Sequence, residues 1–193
     1  MKVAIIKYNA GNIRSVDHAL KRLNVTAEIT DDHDAIMSAD KVIFPGVGEA
    51  ATTMGHLKER ALDVLIKGLS QPVLGICLGQ QLMCSWSEER DTECIGIFDQ
   101  PVRRFPDGLK VPHMGWNKLN RVQGELFHKS LDGAYVYFVH SYYVPVCEDT
   151  AAETEYMVPF SAAMQKSNFF ATQFHPEKSG DSGEQILLNF LKL

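Results

Sequence analysis

Two short stretches carry residues whose chemistry goes beyond packing. In Gly75-Ile76-Cys77-Leu78-Gly79 a thiol stands between flanking glycines, where an apolar run gives way to a helical pattern. Glycine on either side relieves crowding in a sharp strand-to-helix turn, so the pentapeptide has the form of a nucleophile elbow with cysteine in place of serine. Such a turn sets the sulfur at the carboxyl end of a sheet, beside backbone N–H groups of a helix N-terminus that favour thiolate and can hold an oxyanion. Alone, the pattern reads equally as a buried structural cysteine ahead of a helix. The second stretch is Gln173-Phe174-His175-Pro176-Glu177-Lys178. Pro176 pushes His175 toward extended backbone, where residues i and i+2 project to one side, so that Glu177 can reach and orient the imidazole. Nucleophile, base and orienter are the three parts of a triad. By itself His175-Pro176-Glu177 is as readily a surface turn, because triads are recognised by geometry and not by position along the chain.

The elements that must position these residues follow from periodicity. Residues 2–8 read as a continuous apolar strand, broken by the turn-forming Asn9-Ala10-Gly11-Asn12 before a helical stripe at Val16, Ala19, Leu20 and Leu23. Residues 25–30 read as strand, 31–38 as a short helix, and 41–44 as strand stopped by Pro45-Gly46. Met54, Leu57, Ala61, Leu62, Leu65, Ile66 and Leu69 fit a helical stripe in one or two pieces, followed by strand 73–76 and helix 80–86. Strands alternating with helices imply a mostly parallel sheet covered on both faces. Beyond Glu93 the texture changes to short β-like runs at 95–98, 116–122, 135–144, 160–166 and 169–174. Ser182 and Gln185 stand at capping-box spacing ahead of Ile186, Leu187, Phe190 and Leu191, which predicts a closing amphipathic helix.

Bulk properties narrow the function classes. The chain has 193 residues, 45% hydrophobic and 22% charged, as expected of a folded domain and not of a disordered or disulfide-scaffold chain. Its 24 acidic against 19 basic residues give a net charge of −5, so there is no global positive field for nucleic acid. No secretory leader and no apolar run long enough for a bilayer are expected, which predicts a soluble, cytoplasmic protein without a membrane partner. The four cysteines form no C-x-x-C pair; Cys84 reads as core packing, and Cys94 and Cys147 receive no role. His18, His33, His56 and His128 lack metal-ligand spacing, and no phosphate-binding glycine motif follows a strand, so neither a metal nor a cofactor is expected. Arg103 and Arg104 read as solvated surface, and Trp116, on its own, as a core tryptophan.

The elbow GICLGQQLM taken with the distal HPEK resembles the class I triad glutamine amidotransferases, in an order that spans almost the whole chain. The opening YNAGNIRSV, the turn PGVG, the run VPHMGWN and the strand YFVHSYY narrow the resemblance to the branch of that family serving histidine biosynthesis. Gln80 is the chief departure from the family pattern. The resemblance implies an α/β, flavodoxin-like class I glutamine amidotransferase fold, with a mostly parallel central sheet, additional antiparallel strands, and residues 1–193 as one domain. It implies L-glutamine as substrate, Cys77 as nucleophile, His175 as base and Glu177 as its orienter. It points to Leu78 and the Gly46-Val47 peptide for the oxyanion hole, and to Gly48, Gln81, His140, Ser141 and Tyr142 for the glutamine pocket. A cyclase subunit with a TIM-barrel fold is the implied heterodimer partner and receiver of ammonia, docked on Asn9, Asn12, Met114, Trp116, Asn117 and Lys178. The PGVG turn is expected to be misoriented at rest and set by that partner. A different α/β cysteine hydrolase, or a catalytically dead binding module on the same fold, are the alternatives.

Overall fold

The computed structural model describes residues 1–8 and 12–193. Strands β1 (Val3–Ile6), β2 (Ala27–Thr30), β3 (Lys41–Phe44) and β4 (Val73–Ile76) alternate with helices α1 (Ile13–Arg22), α2 (His33–Met37), α3 (Ala50–Glu59), α4 (Leu62–Lys67) and α5 (Leu78–Met83). Then come β5 (Trp86–Ser87), β6 (Thr92–Glu93), β7 (Pro101–Arg104), β8 (His113–Lys118), β9 (Tyr135–His140), β10 (Tyr142–Tyr143), β11 (Thr150–Tyr156), β12 (Val158–Lys166) and β13 (Phe169–Thr172), and α6 (Gly180–Lys192) closes the chain.

Seven strands form the central sheet in the order β11-β12-β13-β4-β3-β1-β2. The five from β13 to β2 are parallel, and β11 and β12 add an antiparallel edge. Among the parallel strands the connectivity is the flavodoxin arrangement, whose ligands bind beyond the carboxyl ends of the strands. Strands buried on both faces must be apolar at every position, and β1, β3 and β4 are buried throughout and almost wholly apolar. Along β1, Val3 and Ile5 face a cluster with Val16 and Leu20 of α1, Phe138 of β9, and Ile186, Leu187 and Phe190 of α6. Ala4 and Ile6 face the opposite cluster, built on Ile36, Leu57, Ile66 and Leu82 from α2 to α5.

Several sequence expectations are corrected. Residues 95–98 form no strand: the amides of Ile95, Ile97 and Phe98 bond to the carbonyls of Leu82 and Met83, satisfying the end of α5. The helix expected over 80–86 runs from Leu78 to Met83, and Trp86 begins β5. Ser182 lies inside α6 and caps nothing; the helix starts at Gly180 after Ser179, whose hydroxyl donates to the His175 carbonyl instead. Strand β11 has no counterpart in the sequence reading. It alternates Ala, Glu and Thr, a pattern too mixed to read as a strand without its neighbour.

Candidate active site

Cys77 follows the last residue of β4, and His175 lies just beyond β13, the parallel neighbour of β4. The register pairs Thr172 with Ile76, and the Cys77 amide donates to the Thr172 carbonyl at 2.7 Å. Neighbouring strand ends therefore carry the two residues that stand far apart in sequence. Cys77 itself has φ +54°, an unusual conformation for a residue with a Cβ, and α5 begins at the next residue. The turn is possible because Gly79 lies against β3: a Cβ there would overlap the Phe44 carbonyl oxygen.

His175 and Glu177 are both fully buried at their side chains, and His175 Nδ1 meets Glu177 Oε1 at 2.8 Å. Because the carboxylate accepts, Nδ1 carries the ring proton and Nε2 is left for the thiol. Nε2 has no hydrogen-bond partner among the described residues; Cys77 is the leading group that favours the charged ring. Burial alone would lower the imidazole's pKa. Cys77 and then Glu177 overcome that and raise it to about 10. Backbone bonds lock the arrangement to β9: the His175 amide donates to the Tyr137 carbonyl, and Ser179 Oγ accepts from the Tyr137 amide.

A cavity of about 300 Å³ opens on Cys77 and is lined by Gly48, Gln81, His140, Ser141 and Tyr142, together with Val47, Leu78 and Glu89. The two N–H bonds of the Gln81 amide go to the Tyr142 carbonyl and to Gln173 Oε1, each at 3.0 Å. What Gln81 has left for a ligand is Oε1, an acceptor. Glu89 escapes a reading of the sequence, since a lone glutamate in a polar turn gives no signal. It adds a carboxylate at the rim, accepting from the Ala50 amide at 2.7 Å. The Leu78 amide does not face the cavity freely: it donates to the Gly46 carbonyl at 3.3 Å. The turn that carries this carbonyl is tightly packed. A Cβ on Gly46 would come within 2.6 Å of the Gly79 nitrogen and 2.9 Å of the Tyr8 hydroxyl, and that hydroxyl donates to the Pro45 carbonyl.

The residues expected at a partner face divide. Met114 and Trp116 are 63% and 54% exposed, so the alternation of β8 turns Trp116 out of the core, and Lys178 is exposed as well. Asn117 turns inward, donating to the Glu155 carbonyl and to His113 Nε2. Asn12 is buried and donates to Glu177 Oε1 at 3.3 Å, so in this chain it touches the carboxylate and not solvent. Asn9 lies outside the described residues. Gln80 is buried with its amide on the Ser161 carbonyl, away from the cavity.

The class-I glutamine amidotransferase family model matches residues 4–193. The chain belongs to the class-I glutamine amidotransferase family. Among curated proteins it is 64% identical to "Imidazole glycerol phosphate synthase subunit HisH" of Bacteroides fragilis and 48% identical to the protein of that name from Pectobacterium atrosepticum, with both chains covered in full in each case. Among solved structures it is similar to a glutamine amidotransferase, with a TM-score of 0.75 at 19% identity over 98% of this chain and 97% of that one. A glutamine amidotransferase from Thermotoga maritima matches with a TM-score of 0.63 at 16% identity, covering 100% of this chain and 83% of the other. At these identities the structural likenesses speak for the fold. The amidotransferase fold thus accounts for the elbow and the turn after β13 standing side by side.

Proposed function

We propose that the chain hydrolyses glutamine to glutamate and ammonia through Cys77, His175 and Glu177. The ammonia passes to a TIM-barrel cyclase subunit, in a heterodimer that makes imidazole glycerol phosphate and an aminoimidazole carboxamide ribotide in histidine biosynthesis. On this reading residues 1–193 work as a single amidotransferase domain in the cytoplasm, a setting in keeping with four free cysteines. The partner reading is supported by relatives named as subunits of imidazole glycerol phosphate synthase. Met114 and Trp116 have the exposure and chemistry of interface anchors.

The observation that carries the reading is a buried imidazole bonded to Glu177 and acted on by Cys77, the residue that opens on the cavity. His175 Nε2 takes the thiol proton, and the sulfur attacks the substrate's carboxamide carbon. The imidazolium then gives its proton to the departing nitrogen, leaving a glutamyl thioester and ammonia. Water, deprotonated by the same nitrogen, cleaves the thioester and regenerates the thiol. Glu89, and the Gln81 Oε1 left over from its internal bonds, suit the substrate's α-ammonium group.

The oxyanion needs donors, and the resting turn withholds one: the Gly46 carbonyl occupies the Leu78 amide. Rotating the Gly46-Val47 peptide would remove that acceptor and present the Val47 N–H beside Leu78. This supports a site gated by its partner. The test is glutamate release by the purified chain, first alone and then with a cyclase partner plus the partner's ribonucleotide ligand. Activity is expected to rise steeply only in the complex and to vanish in Cys77→Ala, with unchanged thermal unfolding. Turnover retained in that variant would remove Cys77 as nucleophile, equal rates with and without the partner would remove the gate, and silence in both states would favour a binding module.

A further inference from the structure

A string of buried polar groups runs from β8 to the cysteine sulfur, and its direction can be worked out atom by atom. The fixed point is the Tyr142 main-chain carbonyl, which can only accept. His140 Nδ1 lies 2.7 Å from it and so carries the proton. The other nitrogen of a neutral His140 is then an acceptor, and His113 Nδ1, 3.0 Å away, must donate to it. His113 Nε2 is left to accept from the Asn117 amide at 3.3 Å, an amide whose nitrogen end is fixed because it also donates to the Glu155 carbonyl. Burial lowers both imidazoles, to about 4 for His113 and about 3 for His140, which keeps the rings neutral as this scheme requires. On the other side of the same carbonyl, Gln81 must present its nitrogen to Tyr142, and its second N–H reaches Gln173 Oε1. Gln173, fully buried, therefore turns its own nitrogen to Cys77 Sγ, 3.7 Å away.

We propose that Gln173 is a functional donor to the nucleophile: its amide supports the thiolate from a side other than His175, and Gln81, held by the Tyr142 carbonyl, is the positioning residue that prevents the amide from turning its oxygen to the sulfur. The proposal rests on the reading of Cys77 as nucleophile and adds a residue to that site. The register explains why Gln173 is the one: Thr172 pairs with Ile76, so the next residue on β13's side stands beside Cys77. A reversed amide would set an oxygen lone pair against the developing negative sulfur. The string makes reversal costly, because it would leave the Gln81 N–H facing another N–H.

The test reads the sulfur directly, without glutamine. Iodoacetamide modification of Cys77 in the full chain is followed by peptide mass spectrometry across pH. In Gln173→Met the rate at pH 7 is expected to fall about tenfold to a hundredfold, the loss of a hydrogen bond to a charged group, and to rejoin wild type at the alkaline plateau. Gln173→Glu should fall further, since it sets a carboxylate beside the sulfur. A merely structural role would lower the plateau as well, and that result, or equal rates at pH 7, overturns the proposal. Because alkylation does not require turnover, a Gln173 effect together with full glutaminase activity in Cys77→Ala would sink the catalytic reading and leave the donor bond standing.

Discussion

Two buried histidine sites lie within one strand's length of each other and behave in opposite ways. At the proposed triad, His175 meets the Glu177 carboxylate, and Cys77 and then Glu177 raise its pKa to about 10 despite burial. At the base of β8 and β9, His113 and His140 face each other and a carbonyl, with no carboxylate on either ring among the described residues, and both pKa values fall. Burial is common to both, so burial does not decide the outcome. The partners do: Cys77 first and then the Glu177 carboxylate favour the imidazolium of His175, whereas neutral partners leave the desolvation cost of the other two rings uncompensated. The first site can therefore hold and release a proton at the cavity. The second is fixed in one protonation state and one pair of tautomers, which suits it for transmitting orientation and not for acid–base work.

The sharpest way to break this comparison is to make the first site resemble the second. Glu177→Gln keeps the shape of the side chain and removes its charge. The His175 pKa should fall, and glutamate release by the activated complex should drop by about 10²-fold to 10⁴-fold, the range for a disabled acid–base or triad partner. Histidine NMR titration and steady-state turnover check the two halves separately. An unchanged ring pKa would show that Cys77 alone holds the proton there.

The second site is tested through stability. His140→Phe conserves volume but strips the acceptor from the His113 N–H, while the Tyr142 carbonyl keeps the bond it accepts from Gln81. One buried group left unpaired costs about 1–3 kcal/mol, the loss expected in urea unfolding. Adding His113→Phe should cost less than the sum of the two single changes. That ring already stacks on Phe138 at 5.0 Å and on Tyr156 at 4.1 Å, so an apolar ring has a place to sit. Additive losses would mean that the two rings do not act as a pair.

Reading the sequence alone reaches the first site more fully than the second, for a physical reason. Cys77, His175 and Glu177 announce themselves through local backbone needs: glycines around an elbow, and a proline between base and orienter. The parallel half of the sheet is legible for a similar reason, since β1, β3 and β4 are short runs dominated by apolar residues. Gln173 has no such local mark. Its contact with Cys77 exists only because β13 and β4 are neighbours in a particular register, and strand order is not written in either strand. The same holds for His113, which a one-residue change of register on β9 would turn to solvent, and for Asn12, whose partner Glu177 lies at the far end of the chain. The run at 95–98 misleads because its apolar residues fill core while its amides satisfy the end of α5.

The smallest expected effect separates the sites by sign. For His113 and His140 the folded pKa lies below the unfolded value of about 6.5. Their contribution is present above that pH and is lost as the medium is acidified toward 4 and 3, because the unfolded chain binds protons that the folded rings refuse. For His175 the folded value lies above the unfolded one, so its contribution is complete below pH 6.5 and is lost as pH rises through about 10. Each group contributes at most about 1.4 kcal/mol per pH unit at the steepest point. The paired Phe variant should flatten the acid side of the stability profile between pH 6.5 and 4 and leave the alkaline side alone. Glu177→Gln should do the reverse, weakening the decline toward pH 10. If both variants flatten the same side, the two histidine sites do not differ in the way their partners require, and the assignment of charge to the triad ring fails with it.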